Sequence, residues 1–232
     1  MKKAFFNWSG GKDSALALLY AQQQKTIDIR YLFTSVNEKY NRISMHGVRE
    51  ALLDRQAKAL GIPLKKVYMP EFSPLDVYEK KIDESLQTFA SEGIGHTFFG
   101  DIFLEDLREF REKQLRKANV TADFPLWKKD TNKLIREFID LGFKTIVTCV
   151  SDKYLDSSFV GRVIDHDFLN DLPDNVDPCG ENGEFHTFVF DGPNFANPID
   201  FTIGEKTFRK YENEDDPHLE NGFWFCDILE KS

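Results

Sequence analysis

Six residues near the N-terminus have the types and spacing of an anion cradle: Ser9-Gly10-Gly11-Lys12-Asp13-Ser14. Two adjacent glycines allow a tight turn and a close approach of backbone to ligand. Consecutive N–H groups then point at one anion, with the positive end of a helix behind them. Ser9 and Ser14 add hydroxyl donors, and Lys12 adds a point charge. In chemical terms this is a pyrophosphate cradle. A Walker A loop needs Gly five positions before the Gly-Lys pair and Ser or Thr after it, but Phe6 and Asp13 stand there. The dinucleotide fingerprint fails for want of a third Gly. The plainer reading is a Gly-Gly turn followed by an Asp or Ser helix cap. The whole hexapeptide, after a strand and opening a helix, outweighs it.

The elements that must hold this loop are a strand over residues 4–8 and a helix over 14–24, where Leu16, Leu18 and Leu19 give a broad apolar surface. Further strands are expected at 29–35, 64–69, 96–100 and 143–150. Helices are expected at 46–60, 74–92, 104–118 and 132–141, with Gly61, Gly93 and Gly142 as stops. Strands alternating with helices predict an α/β fold, a five-stranded parallel sheet with helices on both faces. The pattern then changes. Residues 165–178 are acidic and loop-like, while 184–191, 198–211 and 222–229 read as strands with no helix between them. The division expected is an α/β domain over 1–156 and a small β-rich C-terminal appendage over 157–232.

Composition narrows the function. The 232 residues are 41% hydrophobic and 30% charged, enough apolar material for a core and unlike a disordered chain. A net charge of −9 gives no broad field for phosphate backbones, which disfavours a nucleic acid partner. No apolar run has the length of a membrane span, and the first eight residues lack a signal-peptide core. Cys149, Cys179 and Cys226 lie far apart with no CxxC pair, which disfavours a zinc ribbon, an iron–sulfur site or a disulfide scaffold and fits reducing cytoplasm. Cys179 has no activating neighbour legible in sequence and is read as a packing residue. The 22 Phe residues read as core.

Residues 9–14 match the SGGxDS signature of the PP-loop ATP pyrophosphatases. Gly100-Asp101-Ile102, Pro125-Leu126-Trp127 and the run from Cys179 through Gly180-Glu181-Asn182-Gly183-Glu184-Phe185-His186-Thr187 to Phe188 narrow the likeness. Over nearly its whole length the chain resembles the diphthine–ammonia ligase family, with Asn182 and Phe185 where that family often has Gly and Tyr. The resemblance implies a sheet of order 3-2-1-4-5, similar to the adenine nucleotide α-hydrolase fold. It implies ATP and Mg²⁺, with cleavage between the α and β phosphates, and an acyl-adenylate formed on a carboxylate acceptor and then amidated by ammonia. In such a family the acceptor is diphthine, a modified histidine of a translation elongation factor. No glutaminase domain fits beside this one, so the ammonia is expected to be free or supplied by a partner. A homodimer is a further possible assembly.

The resemblance also distributes roles. Ser9, Gly10, Gly11, Lys12, Asp13 and Ser14 would hold the nucleotide phosphates, with Gly100, Ser35 and His46 close by and the backbone at 34–36 reading adenine. Lys12, Asp13 and Asp101 would be catalytic, and Asp13 and Asp101 would hold the metal at the crevice where strands 1 and 4 diverge. Arg108, Glu112, Trp127, Gly180, Glu181 and Glu184 would face the acceptor. Plainer readings stand beside each. Asp13 and Asp101 would serve as helix caps, and Arg108–Glu112 as a solvated i,i+4 pair on a face shared with Glu105 and Glu109. Trp127 would be core, and Gly180 to Glu184 an acidic turn. Two rival functions stay open, a tRNA-modifying PP-loop enzyme and a nucleotide sensor without turnover.

Overall fold

The structure, a computed structural model, describes residues 1–43, 47–71, 73–211 and 221–231. Its first half runs β1 (Lys2–Asn7), α1 (Lys12–Gln22), β2 (Ile27–Asn37), β3 (Arg42–Ile43), α2 (Glu50–Leu60), β4 (Leu64–Met69), α3 (Leu75–Ser91), β5 (His96–Phe98), α4 (Glu105–Lys117) and β6 (Thr121–Asp123). Parallel pairing follows the order β4–β2–β1–β5–β6, and β3 turns back antiparallel on β2. Neighbouring residues of a strand face opposite ways. Phe6 therefore joins the core formed with Leu16 and Leu18 of α1, while Phe5 packs with Ile82, Leu86 and Phe89 of α3 and Leu115 of α4. Helices thus cover both faces of the sheet.

The second half runs α5 (Thr131–Asp140), β7 (Lys144–Ser151), α6 (His166–Asp171), β8 (Phe185–Asp191), β9 (Phe201–Tyr211) and β10 (Asn221–Glu230). Its strands form an antiparallel sheet in the order β8–β7–β10–β9. Here the expected fold needs correction. The strand expected at 143–150 as the fifth of the parallel sheet is β7, at the middle of the second sheet. The fifth place in the first sheet goes to β6, Thr-Ala-Asp, which is three residues long and mostly exposed. Strand β7 is buried on both faces: Val147 and Val150 lie in one cluster, Ile146 in another with Val48, Leu52, Phe188 and Ile228. A continuous apolar run reads as a central strand, and nothing in the run says of which sheet. Residues 165–178 also hold more structure than expected, because Asp165 caps α6 by accepting from Phe168 N.

Helix α1 lies between the two sheets, packing against β2 and β5 on one side and β8 on the other. That explains why Ala15, Leu16, Ala17, Leu18 and Ala21 are all buried: a helix apolar nearly all round must be covered nearly all round. Among the described residues no helix is long and apolar enough to cross a membrane.

Candidate active site

The loop between β1 and α1 is braced from two elements far away in sequence. Gly10 has φ 79°, and a Cβ there would lie 2.8 Å from Gln56 Oε1 and 3.0 Å from Leu53 Cδ2, so α2 packs directly on the turn. Gln56 is fully buried; its Nε2 donates to Gly10 O at 2.9 Å and Val189 O at 2.7 Å, and its Oε1 accepts from Trp8 Nε1 at 2.9 Å. From β8, Val189 N donates to Gly10 O at 2.9 Å and Thr187 Oγ1 accepts from Lys12 N at 3.0 Å. Within the loop, Ser9 Oγ donates to Ser14 Oγ at 3.1 Å and Ser14 Oγ donates to Gly11 O at 2.8 Å. The N–H of Lys12 is therefore engaged by the protein itself, which narrows the backbone cradle that a run of free N–H groups would give. Gln56 and Thr187 are functional neighbours that motif reading did not assign. Thr187 lies in the C-terminal segment that carries the family likeness, whereas Gln56 has no signal in the sequence.

Lys12 is the first residue of α1 and is buried. Its Nζ lies 2.7 Å from both carboxylate oxygens of Asp13 and 5.6 Å from the Phe185 ring centroid. Burial alone would lower its pKa, but Asp13, with Cys179 and Glu181 beyond, carries it above the ordinary lysine value. Lys12 is thus held as a cation. Gly100 follows β5 and closes in on the same helix start: a Cβ there would meet Ser14 N at 2.9 Å and Asp13 C at 3.0 Å. This contact brings Asp101 beside Asp13. Burial, then the charge of Asp13, pushes the Asp101 carboxyl up, with Arg111 3.3 Å away pulling the other way. Its Oδ2 is buried with no hydrogen-bond partner. Glu181 approaches from the second half and accepts from Ile102 N at 2.7 Å and Phe103 N at 3.3 Å. Burial, then Asp13, pushes its carboxyl up to about 7.

These groups share one cavity of about 810 Å³, lined by Ser9, Lys12, Asp13, Ser14, Ser35, Gly100, Asp101, Gly180 and Glu181 among others. Asn182 and Thr187 of the family-like segment also line it, as do Arg111 and Gln114, which have no role assigned from the sequence. Its apolar walls come from Phe5, Phe33, Ile82, Leu86, Phe99 and Leu115, under α3 and α4.

Six other expected site residues do not line the cavity: Gly10 and Gly11, which form the turn of the loop beneath it, and Arg108, Glu112, Trp127 and Glu184. Arg108 Nε donates to Glu112 Oε1 at 2.7 Å, and its guanidinium lies 4.6 Å from the Phe124 centroid and 4.5 Å from that of Trp127. Arg108 and Glu112 of α4 thus cluster with Trp127 from the turn after β6, and none of the three lines the cavity. Glu184 is buried beneath the acidic turn, accepting from Asp177 N, Asn182 N and Asn182 Nδ2. It shapes the segment that carries Glu181 and does not itself line the cavity. His46 lies outside the described residues. Cys179 is buried with its Sγ donating to Thr131 O at 3.4 Å, and burial pushes its thiol up, as suits a packing residue.

The donor chemistry suits a divalent oxygen-seeking cation. Among the described residues no three Asp, Glu, His or Cys side chains converge to hold a metal alone. Magnesium does not need that, since it commonly takes one or two carboxylates and completes its shell with water and substrate phosphate. The orphaned Asp101 Oδ2 beside a phosphate-type loop fits that pattern.

Comparison with known proteins bears on this arrangement. Residues 1–121 match the family of the diphthamide synthase N-terminal domain, and residues 130–226 that of its C-terminal domain. The chain belongs to the diphthamide synthase family. It is 25% identical over 214 residues to a protein of Danio rerio named diphthine–ammonia ligase, covering 82% of this chain and 83% of that one. A solved structure titled as a predicted subunit of tRNA methyltransferase from Methanocaldococcus jannaschii shares 16% identity, with a TM-score of 0.41 over 82% of this chain and 96% of its own. Membership of the diphthamide synthase family makes the protein a PP-loop enzyme that uses ATP.

Proposed function

We propose that the protein joins ammonia to a carboxylate at the expense of ATP, releasing AMP and pyrophosphate, and that the acceptor is diphthine on a translation elongation factor. The observation that carries the reaction type is the buried Lys12 cation at the braced loop, facing the same cavity as Asp101 and Glu181. The acceptor comes from the family and from the Danio rerio relative's name.

The β and γ phosphates would rest at residues 9–14, with the hydroxyls of Ser9 and Ser14 turning from their partners within the loop to donate to them and Lys12 offsetting their charge. Ser35 and the backbone around it line the part of the cavity where the base would lie. Asp101, with Asp13, would hold magnesium, which supplies charge neutralisation for the leaving pyrophosphate. An acceptor carboxylate oxygen attacks the α-phosphorus, and the bond to the bridging oxygen breaks with its electron pair leaving on pyrophosphate. Ammonia then adds to the acyl carbon and AMP departs. Glu181, carboxylate on the cavity wall, holds the incoming ammonium and takes the proton that frees ammonia, and the second proton, left on nitrogen after addition, goes to the departing AMP phosphate.

The test is a product balance. With Mg-ATP, ¹⁵N-ammonium and diphthine-bearing elongation factor, AMP and labelled amide should appear in equal amounts, read by chromatography and mass spectrometry. ADP as the main product would refute pyrophosphate release. AMP without nitrogen incorporation would leave the PP-loop chemistry standing and remove the ammonia ligase.

A further inference from the structure

Helix α4 turns two hydrogen-bond donors into the cavity, Arg111 and Gln114. They stand three residues apart and so share a helix face. Gln114 is only 7% exposed, and its Nε2 is buried without a hydrogen-bond partner. Turning the amide over would swap donor for acceptor and leave the same inner position unpaired. Native structures rarely keep such a group without a use for it. The Arg111 guanidinium lies 4.4 Å from the Phe99 centroid, and its Nη2 is 3.3 Å from Asp101 Oδ1. That contact occupies one corner of a planar fork built for two-point anion binding. In a protein of net charge −9, an arginine and an unpaired amide on one cavity wall are a distinct anion-seeking feature.

Topology says which anion. The loop lies at the end of β1, with Ser35 on β2 to one side and Gly100 and Asp101 beyond β5 to the other, where α4 follows. A nucleotide with phosphates on the loop and base toward Ser35 leaves the α4 side open. We infer that Arg111 and Gln114 form the acceptor's carboxylate site, holding one oxygen and turning the other toward the α-phosphorus. The inference rests on the proposed amidation. The held oxygen stays on the acyl carbon throughout. The free oxygen forms the new bond to phosphorus, and pyrophosphate leaves with the broken bond's electron pair. When ammonia adds to the carbon, the carbonyl pair moves onto the held oxygen. Its return expels AMP with the C–O pair, and the nitrogen's surplus proton leaves as in the proposed reaction. The same two donors then meet the growing charge.

Two arms test this on the full chain. The first uses acetate, with acetamide as its neutral isostere, at millimolar concentration beside a non-hydrolysable ATP analogue. Saturation-transfer NMR should detect acetate and not acetamide, and Gln114→Glu and Arg111→Met should each weaken the acetate signal about tenfold or more. The second arm is amide formation on diphthine-bearing elongation factor. Gln114→Leu should lower kcat/KM for the acceptor about tenfold to a hundredfold while ATP affinity stays and melting temperature holds or rises. A merely structural Gln114 would give the opposite pair, lost stability with kinetics kept, and that result overturns the inference. Equal binding of acetate and acetamide, or acetate binding untouched in Gln114→Glu, also overturns it. If the wild type binds acetate as described yet forms no amide, the carboxylate site stands and the proposed reaction falls.

Discussion

Lys12 and Glu181 show how the site keeps opposite charges in one partly dry place. Lys12 stays cationic because Asp13 holds it through two contacts of 2.7 Å. An alanine there would remove both a charge and a packed stem, so its loss of activity could not be assigned to either. Glu181 has the opposite problem, since burial and the nearby Asp13 both favour its neutral form. Its proton affinity in the folded protein exceeds the ordinary carboxyl value of 4.5, rising to about 7. The stability it contributes is complete below the ordinary value and is lost as pH rises through about 7. Glu181→Gln escapes that loss, so its melting temperature relative to wild type should climb between about pH 5 and pH 8. In the same variant, the rise of kcat/KM for ammonium near pH 7 should vanish, if Glu181 must ionise to hold ammonium. A melting difference flat with pH, or an unchanged rate profile, would remove Glu181 from this role. The residue itself was legible in the sequence, as an acid in a family segment. Its partners were not, because the N–H groups of Ile102 and Phe103 lie 79 and 78 residues away.

At the scale of elements, the site depends on how closely β5 approaches α1. The Gly100 Cα faces backbone atoms of Asp13 and Ser14, which have no flexible end to move aside. Gly100→Ala should therefore push the start of α1 away from the crevice. ATP affinity should fall about tenfold or more, since each charged hydrogen bond to the phosphates is worth about 1.5–3 kcal/mol. The core lies elsewhere, so the far-UV spectrum should stay native; calorimetry showing wild-type affinity would mean that the spacing is not critical. Gly100 was legible through its Gly-Asp-Ile segment, and the loop through its hexapeptide. The helix face was less so. Charged residues at 105, 108, 109 and 112 recur at helical spacing, which selects a stripe but not the element it faces. Arg108 turned out to lie against Phe124 and Trp127, and Arg111, one turn on, against Phe99 and the cavity. Strand β6 was illegible for a simpler reason: three residues with little burial carry no periodicity.

The whole molecule is stitched together at the phosphate loop. One core cluster takes Ala4, Phe6 and Leu18 from the first half and Val147, Phe185 and Val189 from the second. The hydrogen bonds from Val189 N to Gly10 O and from Lys12 N to Thr187 Oγ1 cross the same boundary. The second half thus completes the loop's frame. The first matched family domain ends at residue 121, within β6, and the second begins at residue 130, just before α5, so the segment after β6 is the natural place to cut. A fragment of residues 1–129 should expose the apolar side of α1, melt without cooperativity and bind ATP about tenfold or more weakly, having lost two supports of the loop. Adding residues 130–232 in trans should restore both melting and affinity. A cut after residue 156, where the sequence pattern changes, separates β7 from β8 and β10, its two partners. Those fragments should recombine less well, because one carries an unpaired, fully buried strand and the other a sheet split at its centre. Cooperative melting and full ATP affinity in the 1–129 fragment alone would show that the first half builds its loop unaided, and the crossing hydrogen bonds would then be incidental to nucleotide binding.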